Sequence, residues 1–403
     1  MEDVWFQPVL NQDNSSGKVS VIMKVTAPEK QNVDARFVLT DREGTVITEK
    51  CLQLQGKDGI FTGTIHTDVQ NIKLWDNHSP YLYHACVELK EEKGGVLEVV
   101  PYDIGFRRLE VIDKVIYLNG KRLVITGVNR HEWNPKTGRC IGMQEMMADI
   151  DCMLRNNINA VRTCHYPDQI PWYYLCDEAG IYMMAETNLE SHGTFQKLGA
   201  IEPSCNVPGS IPQWREVVLD RAISNFETFK NHTSVLFWSL GNESYAGDDL
   251  EAMNIYFKEK RDGRLVHYES SFYNRAYEDT ISDVESRMYA KPKEVEEYLN
   301  NNPKKPYLLC EFMHDMGNSM GGLGSYMKLI DQYEMYHGGF IWDFIDQAIL
   351  VRDPVTGKEV LRYGGDFDDR PADYEFSANG IVFADRKEKP AMQEVRYYYG
   401  LYR

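Results

Sequence analysis

The chain has 403 residues, of which 43% are hydrophobic, so it is long enough for two domains with cores of their own. A formal net charge of −17 and a sequence pI of about 5.1 argue against nucleic acid or an anionic membrane as partners, and favour a neutral ligand. No segment approaches the roughly 20 apolar residues of a membrane span.

Residues 1–110 are predicted to form an immunoglobulin-like β-sandwich. Short runs that alternate apolar and polar residues, such as Lys18–Val25 and Ala35–Thr40, are separated by polar turns such as Asp41–Gly44. About seven such strands in some 100 residues are typical of this fold.

Residues 111–403 show a different pattern, in which strand-like runs alternate with helical stretches such as Met146–Asn156 and Trp214–Lys230. This alternation predicts βα units, and eight strands are what a closed (β/α)8 barrel requires. The predicted strands are Leu123–Asn129, Ala160–Thr163, Ile181–Ala185, Val235–Ser239, Leu265–Tyr268, Val284–Tyr289, Tyr307–Cys310 and Gly339–Trp342.

The cysteines are predicted to be free thiols rather than a disulfide framework, because they form no close CxxC pair and several lie in predicted core elements. They are Cys51, Cys86, Cys140, Cys152, Cys164, Cys176, Cys205 and Cys310. The first residues, Met1-Glu2-Asp3, do not begin a signal peptide, so we expect a cytoplasmic protein.

Polar residues collect at the carboxyl ends of almost all the predicted strands, which in such a barrel face the active site. Chance would distribute them over both ends. In chain order they are Asn129, Arg130, His131, Glu132, Arg162, His165, Tyr166, Glu186, Asn188, Glu190, His192, Asn242, Glu243, Tyr289, Glu311, His314, Trp342 and Asp343.

Two of these residues, Glu243 after the fourth strand and Glu311 after the seventh, are predicted to act as a pair. Retaining glycosidases hold two carboxyl groups roughly 5–5.5 Å apart, one as nucleophile and one as proton donor. We predict Glu311 as the nucleophile, with Tyr289 and Arg162 donating hydrogen bonds to it. Glu243 would be the proton donor, its pKa raised by burial and by Glu311, and Asn242 would bind the sugar 2-hydroxyl. The alternative is that both glutamates are surface charges at loop starts.

Glu190 and His192 alternate in an extended segment, so their side chains point the same way. With Glu243 they are predicted to bind a divalent cation, Mg²⁺ rather than zinc because oxygen ligands dominate. A hydrogen-bonded cluster without a metal is the alternative.

Four ring side chains are candidates for the walls of a sugar pocket. His131, His165 and His314 could bind hydroxyl groups, although each could equally be a structural histidine. Trp342 could stack on a sugar face or belong to the core.

Several of these segments resemble glycoside hydrolase family 2. They are Gly127–Glu132, Asn159–Arg162, His165–Pro167, Trp238–Ser244, Cys310–Glu311, His314–Ser319 and Gly338–Asp343. Tyr363–Phe367 and Asn379–Arg386 resemble the large bacterial β-galactosidases more than β-glucuronidases or β-mannosidases. Leu74-Trp75, Pro80–Tyr83 and Gly105–Arg107 match the sandwich that precedes the barrel in that family.

The resemblance implies a retaining exo-β-galactosidase that hydrolyses terminal β-D-galactosides. It implies Glu243 as acid/base, Glu311 as nucleophile, and a pocket lined by His131, His165, Tyr289, His314 and Trp342. It also implies Mg²⁺ on Glu190, His192 and Glu243, and Na⁺ on the Phe376 carbonyl and on Asn379.

Family members begin with a sugar-binding jelly-roll domain and continue into further β domains, whereas this chain starts at the sandwich and stops soon after the barrel. The activity of the chain alone therefore stays open, as does a homo-oligomer formed through regions not present in it. Two alternatives remain: a β-glucuronidase or other β-glycosidase of the same family, and an inactive scaffold or carbohydrate-binding fragment. A carboxylate-bearing sugar usually requires an added basic pocket, and the sequence shows no obvious one.

Overall fold

The computed structural model describes residues 1–28, 30, 32–91, 94–192 and 206–403, so Cys205 lies outside the described residues. The first part is a sandwich of two four-stranded antiparallel sheets, with orders β1-β2-β6-β5 and β4-β3-β7-β8. Its strands are β1 (Asp3–Leu10), β2 (Ser16–Thr26), β3 (Asp34–Thr40), β4 (Val46–Gln53), β5 (Gln55–Lys57), β6 (Ile60–Gln70), β7 (Tyr83–Lys90) and β8 (Val96–Ile104).

The sandwich forms because alternate residues of its strands are apolar. In β2, Val19, Val21 and Met23 are buried, and Phe37 on the facing sheet packs in the same core. The immunoglobulin-like sandwich is thus confirmed, with eight strands instead of about seven. The extra strand arises because β4 and β5 are separated by the single buried residue Leu54, where the chain crosses from one sheet to the other.

The second part is an eight-stranded parallel sheet, and the predicted (β/α)8 barrel is confirmed. A small antiparallel sheet leads into it, formed by β9 (Leu109–Ile112), β10 (Val115–Leu118) and β11 (Lys121–Arg122). The barrel strands are β12 (Ile125–Arg130), β13 (Ala160–Thr163), β14 (Tyr182–Glu186), β15 (Val235–Ser239), β16 (Leu265–His267), β17 (Glu285–Met288), β18 (Tyr307–Phe312) and β19 (Tyr336–Ile341). Their order is β16-β15-β14-β13-β12-β19-β18-β17.

The barrel closes between β16 and β17 through a bridging segment instead of a regular ladder. Asp283 donates its main-chain N–H to the Val266 carbonyl at 2.9 Å, and its carboxylate accepts the Val266 N–H at 2.6 Å. The hydroxyl of Ser282 accepts the N–H of Tyr268 at 3.1 Å. These bonds satisfy main-chain groups at the seam that a ladder would otherwise pair.

Helices cover the outside of the barrel. They are α1 (Met143–Arg155), α2 (Ile170–Ala179), α3 (Pro212–Phe229), α4 (Asp248–Lys260), α5 (Pro292–Asn300), α6 (Gly324–Gln332) and α7 (Ala391–Gly400). In α1, Met146, Ile150 and Met153 recur at helical spacing and are buried against the barrel. A hairpin of β20 (Ile349–Arg352) and β21 (Glu359–Arg362) follows the last barrel strand.

Two further expectations concern cysteines and membranes. The seven described cysteines are all free. Throughout the described ranges, each helix is too short or too polar to cross a lipid bilayer.

Candidate active site

Both predicted catalytic glutamates face one cavity of about 610 Å³ at the carboxyl ends of the barrel strands. Glu243 lies in the loop after β15, whereas Glu311 lies within β18 instead of just past it as the sequence suggested. The cavity is lined by His131, His165, Glu190, His192, Asn242, Glu243, Tyr289, Glu311, His314, Met316, Trp342, Phe376 and Asn379. The structure therefore brings together the predicted site residues, with Arg162 lying beneath them.

Glu311 is only 4% exposed, and two donors hold its carboxylate. Arg162 Nη1 donates to Oε1 at 2.8 Å, and the Tyr289 hydroxyl donates to Oε2 at 2.6 Å. Burial and the adjacent Glu311 raise the pKa of Tyr289 far above its usual value, so this hydroxyl keeps its proton. Such fixed partners leave the carboxylate few orientations.

Arg162 organises the floor of the site, because each of its guanidinium nitrogens is used. Its Nε and Nη2 form a bidentate pair with Glu186 at 2.7 and 3.0 Å. Nη1 also donates to Asn129 and Nη2 to Asn242, both at 2.9 Å. One buried side chain on β13 thus connects residues of β12, β14 and β18 with the loop after β15.

Glu243 projects from a main chain with an unusual conformation. Its φ is +36°, and Gly241 two residues earlier has φ +145°. A Cβ at Gly241 would lie 2.7 Å from the Leu189 carbonyl, so the close approach requires glycine. The Glu243 N–H donates to Glu269 Oε1 at 2.8 Å, and its carboxylate contacts His192 Nδ1.

Three of the histidines that line the pocket, His131, His165 and His314, favour the neutral form. Burial lowers the pKa of His131 well below its usual value and lowers that of His314. Burial and the charge of Arg162 lower the pKa of His165 to about 3. His165 donates from Nδ1 to Glu186 at 2.8 Å, so its Nε2 carries a lone pair.

Trp342 forms a wall of the cavity together with two of these histidines. His165 stacks on the indole with ring centroids 5.2 Å apart and an interplanar angle of 6°. His131 meets the indole edge-on at 5.6 Å. Trp342 therefore has one face covered by His165, and it lines the cavity instead of lying wholly in the core.

The predicted magnesium ligands converge. One donor atom from each of Glu190, His192 and Glu243 lies within 4.8 Å of the others. Burial raises the pKa of Glu190. The donor set of two carboxylates and one imidazole fits a hard divalent cation.

The two predicted sodium ligands are hydrogen-bonded to each other. Asn379 Nδ2 donates to the Phe376 carbonyl at 2.7 Å, while Asn379 Oδ1 is buried with no partner among the described groups. If the amide nitrogen and oxygen of Asn379 were exchanged, its oxygen would lie beside the Phe376 carbonyl oxygen, an arrangement that suits a small cation.

In a second cluster, one donor atom from each of His267, Glu269 and Cys310 also lies within 4.8 Å of the others, close enough for a metal. Both ring nitrogens of His267 are already engaged by Ser239 and Ser286, at 3.0 and 2.8 Å. Burial and the charge of Arg162 lower the pKa of His267 well below its usual value.

Sequence reasoning missed two contributors to the site, Glu269 and Met316, and it placed Glu186 at the end of its strand without assigning it a partner. Glu186 is the last residue of β14 and Glu269 lies two residues beyond β16, so the strand-end signal existed for both. Burial raises the pKa of Glu269 to about 8. Met316, which lines the cavity, carried no signal because methionine is an ordinary core residue.

Fold and site together define the class of (β/α)8-barrel glycoside hydrolases that carry a preceding β-sandwich. Residues 109–403 match the family model described as glycosyl hydrolases family 2, TIM barrel domain, and residues 1–107 match the model for glycosyl hydrolases family 2. The chain belongs to glycosyl hydrolases family 2.

Curated relatives are similar over most of the chain. The β-galactosidase large subunit of Lactobacillus acidophilus is 59% identical over 402 residues, covering 100% of this chain and 63% of that protein. The β-galactosidase large subunit of Lactobacillus helveticus is 65% identical over 335 residues, covering 83% of this chain and 53% of that protein. The chain thus spans less than two thirds of the length of these relatives.

Solved structures share the fold at low identity. A β-glucuronidase from Bacteroides uniformis has a TM-score of 0.77 at 18% identity, covering 100% of this chain and 50% of that chain. The Ruminococcus gnavus β-glucuronidase in complex with C6-substituted uronic isofagomine has a TM-score of 0.72 at 21% identity, covering 99% and 68%. At this identity the likeness concerns the fold alone.

Proposed function

We propose that the chain carries the catalytic core of a retaining exo-β-galactosidase, which hydrolyses terminal β-D-galactosides through a covalent glycosyl-enzyme intermediate. The observation that carries the proposal is the pairing of Glu311, fixed by Arg162 and Tyr289, with Glu243 in one cavity. Relatives named β-galactosidase at 55–65% identity support the same reaction.

In the first step a Glu311 carboxylate oxygen forms a bond to the anomeric carbon, while the bond from that carbon to the leaving oxygen breaks. Glu243 gives its proton to the leaving oxygen. In the second step Glu243 takes a proton from water, the water oxygen bonds to the anomeric carbon, and the Glu311 ester bond breaks. Asn242, held by Arg162, is placed to bind the sugar 2-hydroxyl.

A neutral sugar suits this cavity better than a uronic acid. A buried carboxylate ligand requires a cation or comparable donors. Within the described part of the chain no lysine or arginine lines the cavity, and His131 and His165 are neutral at pH 7. These features favour a galactoside over a β-glucuronide.

The test is covalent labelling with a 2-fluoro-β-galactoside that bears a good leaving group, because the fluorine slows the second step and lets the intermediate accumulate. We expect mass spectrometry of a digest to place the label on the Glu311 peptide. A label obtained only with a 2-fluoro-glucuronide would favour the β-glucuronidase alternative. Absence of label with both sugars would favour an inactive scaffold or carbohydrate-binding fragment.

For cofactors we propose Mg²⁺ held by Glu190, His192 and Glu243, and Na⁺ held by the Phe376 carbonyl and Asn379. When bound, Mg²⁺ would offset the negative charge that Glu190 brings close to Glu243. Calorimetric titration with Mg²⁺ should give a binding isotherm that His192→Ala weakens, and equal binding by both proteins would contradict the assignment.

We also propose a macromolecular partner and a compartment. The word "subunit" in the names of the Lactobacillus relatives suggests that a further polypeptide, or further copies of this chain, complete the assembly. A cytoplasmic location is supported by the free thiols of the seven cysteines that the structure describes, because disulfides are rare in that compartment. Light scattering of the purified protein and cell fractionation test these two points.

A further inference from the structure

Glu269, two residues beyond the end of β16, contacts the main chain of Glu243. Its Oε1 accepts the Glu243 N–H at 2.8 Å, and the side chain is only 3% exposed. Glu269 does not line the cavity that holds Glu311. It lines a neighbouring cavity of about 410 Å³, to which Glu243 and Tyr289 also belong.

Tyr268, the residue before Glu269, binds Ser244, the residue after Glu243. The Tyr268 hydroxyl accepts the Ser244 N–H at 2.9 Å and also donates to the Ser244 carbonyl. Tyr268 is completely buried, so this contact is shielded from water. Tyr268 and Glu269, which follow β16, thus form hydrogen bonds with Ser244 and Glu243, which follow β15.

The main-chain conformation of Glu243 requires hydrogen bonds that hold it in place. A φ of +36° lies in the left-handed region, which is unfavourable for a residue with a Cβ. A strained conformation persists only where its surroundings enforce it. Relaxation of this main chain would swing the Glu243 carboxyl group relative to Glu311, and proton transfer depends steeply on such geometry.

We propose that Glu269 is a positioning residue for proton transfer, which fixes the left-handed main chain of Glu243 through a buried hydrogen bond. This inference rests on the proposed function, in which Glu243 protonates the leaving group. Glu269 does not line the sugar pocket, and besides the Glu243 N–H its Oε1 accepts only the hydroxyl of Ser270 among the described groups, so its effect on the reaction passes through Glu243. What the role requires of residue 269 is an acceptor oxygen in this place, which glutamine also supplies.

The experiment compares Glu269→Ala with Glu269→Gln on two substrates. A methyl β-galactoside needs proton donation to its leaving group, whereas a dinitrophenyl β-galactoside does not. For Glu269→Ala we expect roughly a 10- to 100-fold loss in kcat/KM on the methyl glycoside and less than about a threefold loss on the dinitrophenyl glycoside. Glu269→Gln should stay within about threefold of the wild type on both.

Glu297→Ala is the matched control, because Glu297 lines the same neighbouring cavity but its side chain is 65% exposed. It should leave both rates unchanged. If Glu269→Ala does not fold, Tyr268→Phe is used in its place, because it removes the hydrogen bonds to Ser244. This variant should also lose more activity on the methyl glycoside than on the dinitrophenyl glycoside.

Equal losses on the two substrates would overturn the proposal, because they would indicate a general structural role. A Glu269→Gln variant as impaired as Glu269→Ala would also overturn it, because an acceptor oxygen would not suffice. Failure of the proposed function looks different: the wild-type protein itself would then neither hydrolyse these galactosides nor become labelled on Glu311.

Discussion

At the scale of single residues, the site depends on one buried arginine. Arg162 is completely buried and pairs with two carboxylates, Glu186 and Glu311. A buried ion pair contributes little net stability, but loss of one partner leaves a buried charge uncompensated. We infer that Arg162 is retained for geometry, since it fixes Glu311 and Asn242 relative to each other.

Replacement of Tyr289 by phenylalanine tests how much the second donor to Glu311 contributes. The hydroxyl donates to the carboxylate at 2.6 Å, and hydrogen bonds to charged groups contribute about 1.5–3 kcal/mol. We therefore expect kcat/KM for aryl galactosides to fall roughly 10- to 150-fold. Tyr397→Phe, at a residue that is 64% exposed, is the control and should have no effect. An unchanged rate in Tyr289→Phe would show that Arg162 alone suffices.

Glu243→Ala separates the two steps of the reaction. Without the acid, methyl β-galactoside should react roughly 10²- to 10⁴-fold more slowly, whereas a dinitrophenyl galactoside should still form the intermediate on Glu311. Without the base the intermediate should persist, and added azide should accelerate its breakdown as a small anionic nucleophile. Steady-state kinetics and mass spectrometry measure both effects. Unchanged hydrolysis of the methyl glycoside would refute the acid/base assignment.

The strand-end pattern predicted which side chains meet, and the two donors to Glu311 were predicted as well, but the contacts that hold Arg162 and the Glu243 main chain were not. Glu243 and Glu311 could be found because a carboxylate beside a buried strand stands out in the sequence. The same rule places Glu186 at the end of its strand but assigns it no partner, and Glu269, which also satisfies the rule, is missed. Their importance lies in the bonds to Arg162 and to a main-chain N–H, and hydrogen-bond partners distant in sequence leave no local pattern.

At the scale of secondary structure, periodicity located all eight barrel strands within a few residues. The boundaries differ because apolar content marks burial, whereas a strand ends where its ladder ends. β18 continues through Glu311 to Phe312, and β19 begins at Tyr336, before the predicted Gly339. The seam between β16 and β17 could not be predicted, since it depends on side-chain bonds from Asp283 and Ser282.

His337 in β19 provides a prediction on stability against pH. It is completely buried, donates from Nδ1 to the Leu123 carbonyl at 2.7 Å and accepts the Ile116 N–H at Nε2 at 3.1 Å, so it fits only as the neutral ring. Burial lowers its pKa to about 4, below the roughly 6.5 of an unfolded chain. Between these values the unfolded chain binds the extra proton, so stability is lost as the pH falls from 6.5 toward 4.

At pH 5.5 this residue should lower the free energy of unfolding by roughly 1 kcal/mol relative to pH 7.5. Urea denaturation of the wild type and of His337→Asn at both pH values measures it. The variant should be less stable at pH 7.5 but should lose less on acidification. An equal loss in both proteins would show that other groups account for the pH dependence.

At the scale of the whole molecule, the sandwich is tied to the barrel beside β15, the strand that leads to Glu243. Gly105 N–H donates to the Thr233 hydroxyl at 2.8 Å, and Arg107 donates to the Thr233 and Val235 carbonyls at 2.6 and 2.5 Å. Trp75 in the sandwich donates to the Asp177 carbonyl at 2.8 Å. Each of these bonds joins a side-chain group on one part of the molecule to a main-chain group on the other.

Asn231, between α3 and β15, also connects the two parts. Its side chain forms hydrogen bonds with main-chain groups of β1, at the sheet edge where no further strand pairs. Its Oδ1 accepts the Phe6 N–H at 2.8 Å and its Nδ2 donates to the Val4 carbonyl at 2.9 Å. We predict that Asn231→Ala lowers the free energy of unfolding by about 1–3 kcal/mol, because two main-chain groups lose their partners. Differential scanning calorimetry measures the change, and kcat/KM should stay within about threefold, since both catalytic glutamates are fixed by contacts inside the barrel.

Asn300→Ala, which removes an exposed hydrogen bond to Tyr333 within the barrel, is the matched control and should shift the transition less. If the sandwich served only as a passive neighbour, Asn231→Ala would leave the barrel transition unchanged. A large loss of activity without a change in melting temperature would instead mean that the sandwich contact sets the geometry around Glu243, because β15 is the element that both regions share.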